Sequence, residues 1–255
     1  LSMMIHTSTK SEGYLAGIAD SSNGCVVKLI EFIGKAAHAG GAPHKGINAL
    51  NAANIALSAI HAQRETFRDS DTIRVHPIIT RGGDTVNVVP EYVSMETYVR
   101  GKTLEAINDA NEKVDRSLRA GAMAIGAEVK IRTLPGYIPL KNNKQMGKLF
   151  LENAESLFGK ENVGNVGHRA GSTDMGDISQ IMPAIHPYVN GAEGQGHSID
   201  WKIVEPELAY IGKAKILSMT AVDLLYDNAQ QAEKVLEQTE PNMTKKEYLE
   251  YHRNI

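Results

Sequence analysis

A change of period inside the first half of the chain constrains its fold more than any other feature. Residues 25 to 33, CVVKLIEFI, are rich in Val, Ile, Leu and Phe and read as a strand. The glycine-rich GKAAHAGGAPHKG follows, and residues 47 to 67 then carry Ala and Leu at helical spacing. Next come IRVHPIIT, TVNVVP and EYVSMETYVR, separated by short Gly-Asp or Pro-Glu breaks, which read as three successive β segments in a meander. From 103 to 124 the spacing is helical again, with Leu104, Ile107, Val114 and Leu118 on one face, and 128 to 133 adds a further strand. Residues 25 to 134 are therefore expected to form an antiparallel sheet backed by two helices, because each amphipathic element needs another apolar face to cover its own.

Pro135, Gly136 and Pro139 then interrupt the chain, and a helix from about 143 to 158 opens a different region. A last helix is expected from 205 to 228, followed by the charged QQAEKVLEQTEPNMTKKEYLEYHRNI, read as peripheral. The 255 residues suffice for one large domain or two ordinary ones.

Composition narrows the partners. With 42% hydrophobic residues, 22% charged residues and a formal net charge of -3, the chain exerts no electrostatic pull on nucleic acid or an anionic membrane, which leaves small molecules or proteins as the expected partners. Cys25 is the single cysteine, so there is no internal disulfide framework; its apolar setting predicts a buried thiol and fits a reducing cytoplasm. No apolar run reaches the roughly 18 residues of a membrane span. The opening LSMMIHTST has no cap, leader or initiating methionine, and sequence is expected to precede it.

Neutral imidazole is the commonest metal ligand, so the nine histidines are the residues to question. His61 in a helix, His76 in a strand and His252 in the polar tail read as packed or solvated side chains, and loop residue His44 is little different. His6, His38, His168, His186 and His197 stand at strand ends or in glycine-rich loops, where a scaffold commonly presents functional groups.

The stretches MMIHTST, SSNGCVVKLIEFIGKAAHAGGAPHKGINAL, VNVVPEYVSMETYVRGKT, AGSTDMGDISQIMPAIHPY and GHS follow one another over nearly all of residues 1 to 225. In that order they resemble the M20 family of metallopeptidases and amidohydrolases, most closely its branch of aminobenzoyl-glutamate hydrolases and related dipeptidases. GSTDMGDIS followed by AIHPY is the more specific part. The resemblance implies an α/β fold: part of a zinc-peptidase-like α/β catalytic domain with an inserted α+β sandwich lid that dimerises. On that reading residues 1 to 24 end the first catalytic segment, 25 to 134 are the lid, 135 to 236 return to the catalytic domain, and 237 to 255 are a charged tail.

The same resemblance assigns roles residue by residue. His6 and His197 match metal ligands, for one or two ions of zinc or manganese with a position left open for water. His38 matches the lid histidine that reaches across the dimer and helps hold the oxyanion. Asn87 and Arg100 match lid residues that hold the substrate carbonyl or carboxylate, the guanidinium bidentately. Gly171 and Ser172 match the loop lining the substrate-carboxylate pocket, while Asp174 is read as a helix cap. The implied reaction is metal-dependent hydrolysis of an amide bond in N-acyl amino acids or dipeptides by a homodimer.

The departures from the family's pattern are equally specific. An upstream histidine or cysteine ligand, a bridging acid and a Glu-Glu pair supplying the general base belong to that pattern, and no Glu-Glu dipeptide occurs in the chain. The chain is accordingly expected to be an incomplete, inactive part of such an enzyme. The alternative is a non-catalytic dimerisation or ligand-binding module. A phosphate-binding loop is disfavoured, since AGGAPHKG lacks the spacing and the Lys-Ser or Lys-Thr pair.

Overall fold

The structure is a computed structural model and describes residues 1–9 and 13–253; Lys10, Ser11 and Glu12 of the first segment, and Asn254 and Ile255 at the end of the charged tail, lie outside the described residues. It divides into two compact units, one of Leu1–Ser22 with Leu140–Arg253 and one of Asn23–Pro139.

In chain order the first unit opens with β1 (Ser2–Met3), β2 (His6–Thr9), β3 (Ala16–Ile18) and β4 (Ser21–Ser22). The second unit then contributes β5 (Gly24–Ile33), α1 (Ala49–Ala62), β6 (Arg74–Val75), β7 (Ile78–Arg81), β8 (Tyr92–Gly101), α2 (Leu104–Ile125) and β9 (Glu128–Pro135). Its sheet is antiparallel in the order β6-β8-β5-β9, with β7 also paired to β8. Val26, Lys28, Ile30 and Phe32 alternate along β5 and are buried, as are Val93, Met95, Thr97 and Val99 along β8, which is the period-2 signature of a sheet covered on one face.

The cover is α1 and α2. Asn48 Oδ1 accepts the Asn51 N–H at 3.0 Å to start α1, Thr103 Oγ1 accepts the Ala106 N–H at 3.1 Å to start α2, and Gly126 closes α2 at φ 74°. Ala52, Ala53 and Ala56 keep the inner face of α1 small, and α2 meets it at Gly121, where a Cβ would lie 2.5 Å from Ala52 O and 2.6 Å from Ala56 N. Small residues on both helices thus permit backbone contact, and Ile107, Val114 and Leu118 fill the space beneath.

The expected meander is present only in part. IRVHPIIT divides into β6 and β7 at His76 and Pro77, since proline has no N–H to give to a ladder. His76 therefore lies between strands rather than within one. TVNVVP forms no strand; its Val88 makes a single bridge to His38, and Val89 N–H donates to Ala37 O at 2.9 Å.

The chain then returns to the first unit with β10 (Leu140–Lys141), α3 (Lys144–Phe158), β11 (Val163–Asn165), β12 (His168–Arg169), α4 (Met175–Ile181), β13 (Ala184–Ile185), β14 (Tyr188–Glu193), β15 (Lys202–Ile203), α5 (Lys213–Glu237) and α6 (Lys245–Arg253). Its sheets are short and mixed: β14 lies parallel to β2 and antiparallel to β3 and β15, and β1 lies parallel to β13. Asn143 Oδ1 caps α3 by accepting the Gln145 and Met146 N–H groups at 3.1 and 3.0 Å. Met146 and Phe150 of α3 pack with Ile185, Val189 and, from α5, Ile216 and Leu224.

The C-terminal region differs from expectation. A π-helical turn, Glu207–Gly212, precedes α5, which breaks at Tyr226–Ala229 and then resumes to Glu237, burying Ala232 and Val235. The tail is not merely peripheral, because His252 Nε2 in α6 lies 3.1 Å from Asp177 Oδ1 in α4 and Met243 N–H donates to Gln180 O at 3.0 Å. Charge in this segment masked an amphipathic contact made by a few residues.

Candidate functional site

In the Asn23–Pro139 unit, the glycine-rich loop after β5 folds back on the TVNVVP segment. The bridge between His38 and Val88, with Ala39 N–H donating to Asn87 O at 2.9 Å, brings the neighbourhoods of His38 and Asn87 together. His38 Nδ1 accepts the N–H groups of Gly41 at 2.9 Å and Gly40 at 3.2 Å. In the neutral ring this places the remaining proton on Nε2, leaving an exposed imidazole oriented by the backbone to donate a hydrogen bond. A Cβ at 40 or 41 would stand 3.5 Å from the ring, an ordinary van der Waals contact.

Arg100 is not part of this group within the unit. It pairs with Cys25 and Arg74 at the far end of β8, with its Cζ 5.3 Å from the Tyr98 ring centroid. Tyr92, at the near end, pairs with Ile33, so eight residues of strand separate the two places, about 27 Å at about 3.4 Å per residue. Cys25 is buried and free, as its apolar context predicts.

In the other unit, β2 and β14 set His6 opposite Tyr188. The exposed His6 ring donates Nδ1–H to Thr7 O at 2.7 Å, leaving Nε2 with its lone pair. Around it stand His186, with ring centroids 6.0 Å apart, and Tyr188, at 5.9 Å; His186 and Tyr188 stack at 5.2 Å and 23°, and Arg169 Cζ lies 3.8 Å over the Tyr188 ring. Burial holds His186 down at a pKa of about 4, with the neighbouring His6 and Arg169 acting in the same direction and Asp174 against them. The ring is thus neutral at physiological pH.

His197 occupies the exposed loop after β14, at φ 64°, whereas His6 is paired with that strand's first residue. Gly171 is exposed and Ser172 Oγ is buried without a hydrogen-bond partner, just ahead of α4. Asp174 does not cap α4 through its side chain; Thr173 Oγ1 instead accepts the Met175 N–H at 3.3 Å. The cluster's Arg169 and Tyr188 were not singled out by sequence, and the signal available was a polar ring on each side of proline in AIHPY, interrupting an apolar strand.

The chemistry at His6 fits a divalent ion. An anchored Nδ1–H with Nε2 left over is the usual state of a metal-ligating histidine, and a second neutral imidazole stands beside it. Among the described residues no three His, Cys, Asp or Glu side chains are grouped to hold an ion.

Residues 23–124 match the M20 peptidase dimerisation domain. Over 232 residues the chain is 30% identical to Xaa-Arg dipeptidase of Homo sapiens, covering 88% of this chain and 51% of that protein. It is 28% identical over 124 residues to a p-aminobenzoyl-glutamate hydrolase homolog of Haemophilus influenzae, covering 48% of this chain and 29% of that one. The structure of an aminobenzoyl-glutamate utilization protein from Klebsiella pneumoniae has the same fold over 89% of this chain and 55% of its own, with a TM-score of 0.63 and 20% identity. The chain spans about half the length of the dipeptidase it matches. Residues 23–124 thus carry the dimerisation domain of the M20 family, and the alignment with the dipeptidase extends well beyond it.

Proposed function

We propose that this chain is part of a metal-dependent amidohydrolase that cleaves an amide bond in dipeptides or N-acyl amino acids, including aminobenzoyl-glutamate-like substrates. The observation that carries the reading is the alignment of 88% of the chain with a dipeptidase. Further support comes from the match to an aminobenzoyl-glutamate hydrolase homolog and from the anchored imidazole of His6.

His6 and His197 would hold zinc or manganese, borderline ions that accept imidazole nitrogen. When bound, such an ion acidifies water and polarises a carbonyl. The exposed Nε2–H of His38 is oriented to stabilise a developing oxyanion, in the dimer partner's site by the resemblance. Asn87 and Arg100 would hold the substrate's carbonyl or carboxylate, and the Gly171–Ser172 segment the free carboxylate of the leaving amino acid, with the Ser172 hydroxyl as donor. The general base and the remaining ligands would come from sequence outside residues 1 to 255, and the protein would work as a cytoplasmic homodimer.

The natural full-length protein should carry bound metal and hydrolyse dipeptides or N-acyl amino acids, and lose that activity to a chelator. His38→Ala should lower kcat by about 100-fold, the effect of losing one oxyanion donor, with metal content unchanged. A metal-free protein without hydrolysis would instead make the fold a dimerisation or ligand-binding module, and an unchanged kcat in His38→Ala would end the role given to that residue.

A further inference from the structure

A buried imidazole beside His6 has no part in the roles above. His186 is 2% exposed, neither of its ring nitrogens has a hydrogen-bond partner among the described residues, and its backbone N–H donates to Asn142 Oδ1 at 2.7 Å. Leaving a buried polar group unpaired costs about 1–3 kcal/mol, and this ring carries two such atoms. An apolar side chain of similar size would fill the position without that cost, so the nitrogens point to a partner that the described residues do not provide.

Its neighbours restrict what that partner is. His6 has committed Nδ1–H to Thr7 O and keeps the lone pair on Nε2. In its neutral form the His186 ring likewise has one nitrogen lone pair to give. Two imidazoles that share one ion, each with its nitrogen about 2.0–2.1 Å from the metal at a tetrahedral or opened angle, bring their ring centroids to about 5–6 Å. The observed 6.0 Å stands at the open end of that span. Arg169 is the nearby cation that would oppose a metal; its guanidinium is stacked on Tyr188, and Asp174 acts on His186 in the opposite electrostatic sense.

We propose that His186 is a second imidazole ligand beside His6, so that a zinc-class ion is held between β2 and the segment leading into β14. Imidazole donors select zinc-like ions over magnesium or calcium, which take oxygen. The inference rests on the metal-hydrolase reading and adds a donor that neither the sequence motifs nor the resemblance assigned.

The test is metal binding by the natural full-length protein, stripped with a chelator and then titrated with Zn2+ against a competing indicator and with Co2+ by visible absorption. His186→Ala should weaken Zn2+ binding by at least the roughly 10- to 100-fold that loss of an outer-shell partner costs, and should alter the Co2+ spectrum by removing a nitrogen donor. If that variant does not fold, nitrogen-15 spectra of the wild-type histidine side chains replace it, and the His186 ring resonances should shift as Zn2+ saturates. Unchanged affinity and spectrum in folded His186→Ala, or unmoved His186 resonances at saturation, would overturn the ligand role and leave the metal-hydrolase reading standing. A wild-type protein that binds neither ion would overturn both.

Discussion

The two units treat a buried nitrogen in opposite ways. In the Asn23–Pro139 unit, Lys28 is fully buried in the apolar row of β5, yet it donates to Asn111 Oδ1 and Thr133 Oγ1, both at 2.7 Å, and pairs with Asp115. In the other unit, His186 is nearly as deeply enclosed and its ring nitrogens have no hydrogen-bond partner among the described residues. A closed polar network marks a region whose task is to hold one shape, whereas an unpaired one marks a region built around something else. The architecture agrees, since long paired strands under two helices make the Asn23–Pro139 unit and strands of two to six residues make the sheets of the other.

Breaking the Lys28 network should have the largest effect. Lys28→Ala leaves Asp115 without its internal partner and should cost about 3 kcal/mol, the low end for a broken buried pair because the Asp115 side chain keeps 18% exposure. Lys28→Met should cost much less, and calorimetry on both variants separates lost charge pairing from lost packing. Burial lowers the Lys28 pKa, so between that value and the unfolded value of 10.5 the unfolded chain binds more protons. The wild type should therefore gain stability relative to Lys28→Met as pH rises through that window, measured as the difference between their melting temperatures.

Gly121→Ala comes next. Its Cβ would meet the α1 backbone at 2.5 Å, so the helices must separate, at about 2 kcal/mol read from denaturant unfolding. His186→Leu should go the other way in metal-free protein, raising stability by about 1 kcal/mol because two unpaired polar atoms disappear; a loss of stability there would mean that the imidazole is satisfied within the fold and would erase the contrast between the units. The smallest effects should be the caps. Thr103→Ala and Asn143→Ala should each cost about 1 kcal/mol in thermal unfolding, with Asn143 the costlier because it accepts two N–H groups.

The legible parts of the sequence were those whose periodicity reflects burial on one face. CVVKLIEFI and the helix carrying Ile107, Val114 and Leu118 announced β5 and α2 because their apolar spacing follows the element that buries it. TVNVVP misled because valine in β-like alternation also serves in a loop that folds back on its neighbour, and that contact depends on His38 some fifty residues earlier. His6 and His38 were singled out by their motifs, and each has its ring Nδ1 held by backbone groups. The enclosed state of His186 was not, because AIHPY gives no sign that both ring nitrogens would be left unpaired. Nor was the hold of α6 on Asp177, which depends on one histidine inside a charged segment.

The most direct test of the metal-hydrolase account is an anomalous difference map at the zinc edge, from crystals of the natural full-length protein grown with Zn2+. The account predicts a peak about 2.0–2.1 Å from His6 Nε2. A map with no peak in bonding reach of His6, from crystals saturated with the ion, would contradict it.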